Sequence, residues 1–213
     1  MIDLLRNPGL TAGLIATAVL GYFLPWMIGG SISLTLGAYD LAEWVSLRLP
    51  ARPMDTVLLL RAIPVLIAIL IGLHGSHYRR LSAVWWSSAG IIALFAIALL
   101  PPFEFFIDPN QRGDVNYYQQ FQLFGAAFFL GLFALTGLLR RLDAIIALIA
   151  SVGIIALTGL GLSRIWPMLL ELELAPQVGV GPVILLGAII ALCITVLTRL
   201  FTRPTPTTTQ HGK

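Results

Sequence analysis

GGSISLTLGAYDLAEWVSLRLPARPMDTVLLLRAIP, residues 29–64, is the stretch on which the reading of this chain turns. It leaves one apolar run, crosses a polar corner and enters a second apolar run that carries Arg61. Asp40 and Glu43 have the spacing of a capping box, with Asp40 as N-cap and Glu43 at the third helical position. Behind them Leu41, Trp44, Val45 and Arg48 share one helical face, and Pro50 and Pro53 stop the turn. The pattern predicts a helix of about two turns lying in the headgroup layer, with Tyr39 and Trp44 beside it.

Outward from this corner the chain is hydrocarbon-seeking. Hydrophobic residues make up 58% of the 213, charged residues only 11%, and the mean hydropathy is +0.91. A water-soluble domain carries about 25% charged residues, so these side chains cannot clothe a soluble surface. The expected fold is all-α: a polytopic membrane domain of six transmembrane helices at about 9–28, 54–73, 81–100, 122–139, 142–162 and 182–201. One or two short interfacial helices are expected on the outer side, the second of them within 164–182, and residues 202–213 read as a disordered tail. The first apolar run is too long for the hydrophobic region of a signal peptide, and Pro25-Trp26-Met27 stands where a cleavage site would be.

Charge orients the layout. With both termini in the cytoplasm, the turns holding Arg79, Arg80, Arg140 and Arg141 fall inside, together with Arg199, Arg203 and Lys213. Eight of the ten carboxylates then fall outside, as the positive-inside bias requires. A multi-pass protein of a bacterial plasma (cytoplasmic) membrane is the expected setting. The formal charge of +3 is read as this bias, and nucleic acid is not an expected partner. Trp26, Tyr39, Trp44 and Trp166 are the expected interfacial anchors.

Helix packing leaves its own marks. Gly13, Thr17 and Gly21 form a small-residue row in the first span. Ala147, Ser151, Gly159 and Ser163 form another in the fifth, which is therefore expected at the middle of the bundle. Cys193 is alone and reads as a packed thiol.

Few residues carry chemistry. Arg61 lies about 10 Å into the second span, where a cation is costly and demands either a partner or a role. Its stem can also snorkel to the interface, and Arg61→Leu separates that reading from a place in a transport path. The topology offers Asp55, Glu104 and Asp108 as counter-charges, and Asp40, Glu43, Glu104, Asp108 and Arg61 together as a polar cluster for a headgroup. His74 and His77 are too few to close a metal site, and no metal is expected. No cofactor is expected either; a single axial ligand to haem or chlorophyll at His74 is the one arrangement left open. The segment 108–119 departs from a calcium loop, with Arg112 at the fifth position and Gln119 at the twelfth.

No hydrolase, Walker or metalloprotease motif occurs, the two halves show no inverted echo, and the apolar spans hold no Asp, Glu or His relay. The leading expectation is a non-catalytic membrane subunit packed against protein partners in an energy-transducing, pigment-bearing or transport assembly. A small permease or lipid-handling transporter with Arg61 in its path comes second, and a headgroup-modifying enzyme third.

Overall fold

The computed structural model describes residues 8–30, 34–48 and 55–201; the side chains of Leu47, Arg48 and Asp55 lie outside that description. So do the expected tail, Pro50 and Pro53. The chain is 77% helical. Its elements are α1 (Pro8–Phe23), β1 (Met27–Gly29), β2 (Thr35–Leu36), α2 (Ala38–Arg48), α3 (Asp55–Arg61), α4 (Ile63–Ser76) and α5 (Ala83–Ala98). There follow α6 (Glu104–Ile107), a 3-10 turn at Gln111–Gly113, α7 (Val115–Leu135), α8 (Asp143–Glu171), β3 (Pro176–Val178) and α9 (Val180–Phe201).

Among the described residues, four helical stretches are long and apolar enough to cross a membrane: Thr56–Ser76, Val115–Leu135, Asp143–Glu171 and Val180–Phe201. The apolar helices α1 and α5 are shorter. The α3–α4 stretch is the axle: it packs against α1, α5, α7 and α8, and 72% of its apolar window is buried, against 28% in α7 and α8. The small-residue row of the fifth expected span does not place that helix at the centre. Ser151 is buried, but Gly159 and Ser163 face outward. A tight helix–helix approach belongs instead to Gly72 of α4, where a Cβ would collide with the Gly131 carbonyl and lie 2.9 Å from the Ala134 Cβ.

Two ends of the bundle can be told apart by their contacts. At one, Arg80 donates to the Thr136 carbonyl at 3.0 Å and Arg140 to the Ser76 carbonyl, clamping the turns that follow α4 and α7. At the other, β1 pairs antiparallel with β2 and β3, giving a three-stranded sheet in the order β2-β1-β3. This sheet is an addition to the all-α expectation. Its physical basis is that loop backbone folded against apolar helices must find internal hydrogen-bond partners.

Helix boundaries moved for identifiable reasons. Asp114 caps α7, accepting from the N–H groups of Asn116 at 2.8 Å and Tyr117 at 3.1 Å, so this helix begins seven residues before the apolar run at 122. The fifth span does not end at 162, and the second interfacial helix expected within 164–182 is absent. α8 runs on to Glu171 through Pro167. The carbonyl that this proline orphans belongs to Ser163, an exposed position where the loss is tolerated.

Candidate functional site: a buried arginine network

Three sequence features converge on one point. The first is the start of α2. Asp40 is not the N-cap; it stands at the third helical position, and its carboxylate accepts from the Gly37 N–H at 3.4 Å. This is the reciprocal half of a capping box shifted by one turn. The shift frees Glu43, one turn further on, to face the bundle. Ala38, Leu41, Ala42 and Val45 are buried, so α2 packs into the protein rather than merely resting in the headgroup layer.

The second feature is the break after Arg61. The helix interrupts at Ala62, and Pro64 follows near the start of α4. Proline has no N–H, so the Leu60 carbonyl lacks its usual donor four residues on. The Tyr22 hydroxyl lies 3.5 Å from that oxygen. Arg61 therefore sits at the end of a helical segment, where its side chain can turn inward. The third feature is the early start of α7, which puts Asn116 and Gln120 one turn apart on the same face.

These groups close on each other. The Arg61 guanidinium donates through Nη2 to Glu43 Oε2, forming an ion pair, and through Nη1 to Asn116 Oδ1. Gln120 Nε2 donates to Glu43 Oε2 at 3.0 Å, and Asn116 Nδ2 approaches Glu43 Oε1 at 3.4 Å. The Asn116 amide thus offers oxygen to the cation and nitrogen to the carboxylate, a polarity that matches the pair. The Tyr39 ring lies 5.5 Å from Arg61 Cζ, within reach of a cation–π contact. Burial pushes the Tyr39 phenol above its ordinary range, with the Arg61 charge opposing.

Arg61 is 0% exposed, Gln120 2% and Glu43 29%. Snorkelling is therefore not what Arg61 does; its charge is retained inside and answered there. Within this network, the buried Arg61 Nε and Gln120 Oε1 have no hydrogen-bond partner among the described residues. Chemically the site is a charge-balanced clamp joining α2, α3 and α7.

The remaining expected residues fall elsewhere. Glu104 is exposed at the start of α6, and Asp108 accepts from the Asn110 N–H at 2.9 Å, so neither is a counter-charge for Arg61. Trp26, expected in the headgroup layer, is fully buried; its indole N–H donates to the Gly21 carbonyl at 3.0 Å and its ring faces Gly181. Trp44 and Trp166 are half-buried against the core. His74 is half-buried at the opposite end, its ring 5.3 Å from that of Tyr78. No cluster of three metal-ligating side chains occurs among the described residues. Neither Asn116, which falls within the segment compared with a calcium loop, nor Gln120 was expected from the sequence as a partner of Arg61. The available signal was Asp114 as an N-cap, which fixes the phase of the polar pair that follows.

Comparison with protein-family models, with curated proteins and with solved structures finds no match to this chain.

Proposed function

We propose that the chain is a non-catalytic, multi-spanning membrane subunit that crosses a cytoplasmic membrane six times, with both termini on the cytoplasmic face. The observation that carries the reading is the closure of the Arg61 network. The buried cation of the apolar interior is spent on Glu43, Asn116 and Gln120, in a clamp that holds α2 against α3 and α7. A permease with Arg61 in its path needs that cation open to substrate, and the pairing counts against it.

The six-crossing count is supported by the ends. The turns after α4 and α7 meet at one end, where α9 also returns to α1 through an Arg199–Thr11 hydrogen bond of 2.8 Å. α1 and α5 have 16 residues each, about 24 Å of helix against a hydrocarbon core of roughly 30 Å. Apolar side chains exposed along α7, α8 and α9, among them Phe129, Phe133, Ile149, Val183 and Ile194, supply a surface for lipid or for neighbouring subunits.

The test is a native-mass and absorbance measurement on protein tagged at its C-terminal tail and extracted from its own membrane in a mild detergent. Stoichiometric companions in a large complex support the subunit reading. A colourless particle of one to three copies with no companions overturns it.

A further inference from the structure

Between α1, the start of α2, α4 and α5 lies a cavity of about 170 Å³, lined by none of Arg61, Glu43, Asn116 and Gln120. Its walls carry four aromatic side chains from three helices: Tyr22 and Phe23 of α1, Tyr39 of α2 and Phe95 of α5. Pro64 and Leu99, both buried, close it on the α4 and α5 sides. Among the described residues, Asp40 is the one lining group with a formal charge. Its carboxylate accepts a long hydrogen bond from the Gly37 N–H, 3.4 Å, and is otherwise unpaired among those residues.

Neighbouring walls of a box stand at steep angles to each other, and these rings do. Tyr22 and Phe23 meet at 5.4 Å and 85°, and Phe23 and Phe95 at 5.6 Å and 49°. Phe23 and Asp40 are exposed, Tyr39 is half-buried, and Tyr22 and Phe95 are buried. The cavity therefore grades from a carboxylate in water to rings in the interior. The Tyr22 hydroxyl lies 3.5 Å from the Leu60 carbonyl, so that residue offers the cavity its ring rather than a free donor. Arg61 lies 5.5 Å from the Tyr39 ring, but its charge is answered by Glu43.

This lining selects a particular chemistry. Aromatic faces are partly negative, Asp40 adds a full negative charge, and no lining amine or guanidinium opposes them. An anion is repelled, and an uncharged polar group finds few donors. A methylated ammonium suits both features, because it carries its charge on an apolar surface that rings can enclose. The cavity is too small for a drug-sized molecule and matches a single headgroup. We infer that it is a binding site for a quaternary ammonium group of the choline type, enclosed by Tyr22, Phe23, Tyr39 and Phe95 and balanced by Asp40. The inference does not depend on whether the chain has protein partners.

The test follows thermal unfolding of the full-length protein in an uncharged maltoside by tryptophan fluorescence. Choline chloride, its uncharged carbon isostere dimethylbutanol, and sodium chloride are added in separate arms at matched concentrations. Choline is expected to raise the midpoint by about 5 °C at ~100-fold excess over its Kd, the isostere by much less, and sodium chloride not at all. Asp40→Asn keeps an oxygen for the Gly37 N–H and should remove at least half of the choline shift. Phe95→Leu should do the same by removing a ring, whereas Tyr39→Phe should retain the shift. Glu104→Gln, an exposed carboxylate at the start of α6, should leave the response intact. Phosphatidylcholine and phosphatidylglycerol form two further arms that identify the source. A shift from phosphatidylcholine alone, well below the choline concentration needed, supports the site and assigns the group to a lipid. A choline shift with no phosphatidylcholine response supports it and assigns a soluble ligand. Equal shifts from choline and dimethylbutanol would overturn the inference, because filling the void then suffices. So would no choline shift at all, a full shift in both Asp40→Asn and Phe95→Leu, or an equal loss in Glu104→Gln.

Discussion

A guanidinium with no exposed surface keeps its charge only where a carboxylate and further acceptors replace its water. Arg61 meets that requirement through Glu43 and Asn116, and Gln120 in turn satisfies Glu43. Removing one member strands another. Arg61→Leu is therefore expected to destabilise the protein by about 3 kcal/mol in equilibrium unfolding from mixed micelles, leaving Glu43 unpaired. Glu43→Gln should cost less than the arginine change, because Glu43 remains 29% exposed and water can answer for part of the loss. The double variant Arg61→Leu, Glu43→Leu should recover at least half of the summed losses. Strict additivity would show that the two charges do not stabilise each other. Gln120→Ala is expected to cost about 1–2 kcal/mol, since it removes a donor to a partly buried carboxylate.

At the scale of the element, glycines separate true close approaches from mere spacing. Gly72 lies where α4 touches α7, and a methyl group there has no room beside the Gly131 carbonyl and the Ala134 side chain. Gly72→Ala should destabilise by about 1–3 kcal/mol. Gly13 and Gly159, both members of the small-residue rows, have nothing within 4 Å of a Cβ. Alanine there should be neutral or stabilising by up to about 1 kcal/mol, on helix propensity alone. Thermal unfolding of the three variants side by side checks the contrast. A comparable loss at Gly13 would mean that this row packs against a surface outside the monomer. Helix ends give a parallel case. Asp114→Ala should cost about 1 kcal/mol by removing the α7 cap. It should also loosen the phase of Asn116 and Gln120, so Arg61→Leu ought to cost less in that background.

For the whole molecule the consequence is a two-ended bundle, with a charge clamp near the sheet and a basic end opposite. Single cysteines placed at Arg79, Arg141, Arg112 and Gln177 in a Cys193→Ala background test the six-crossing proposal. A membrane-impermeant maleimide applied to intact cells should label the last two and spare the first two. Labelling of Arg79→Cys together with Arg112→Cys would mean that α5 does not cross. Composition by itself determined that the chain is helical and apolar enough for a membrane, because 11% charge cannot solvate a surface. Periodicity and punctuation placed a helix after Asp40 and before Pro50, with its start one turn late, and also the turns at Arg79-Arg80 and Arg140-Arg141 and the anomaly of Arg61. Tertiary structure alone decided who answers that arginine. Glu43, Asn116 and Gln120 come from segments 18 to 59 positions away, and no local rule relates them. It also decided that α3–α4 is the central helix and that Trp26 is enclosed. Burial is a property of the surfaces that meet, and an apolar helix reads the same along the chain whether lipid or another helix covers it.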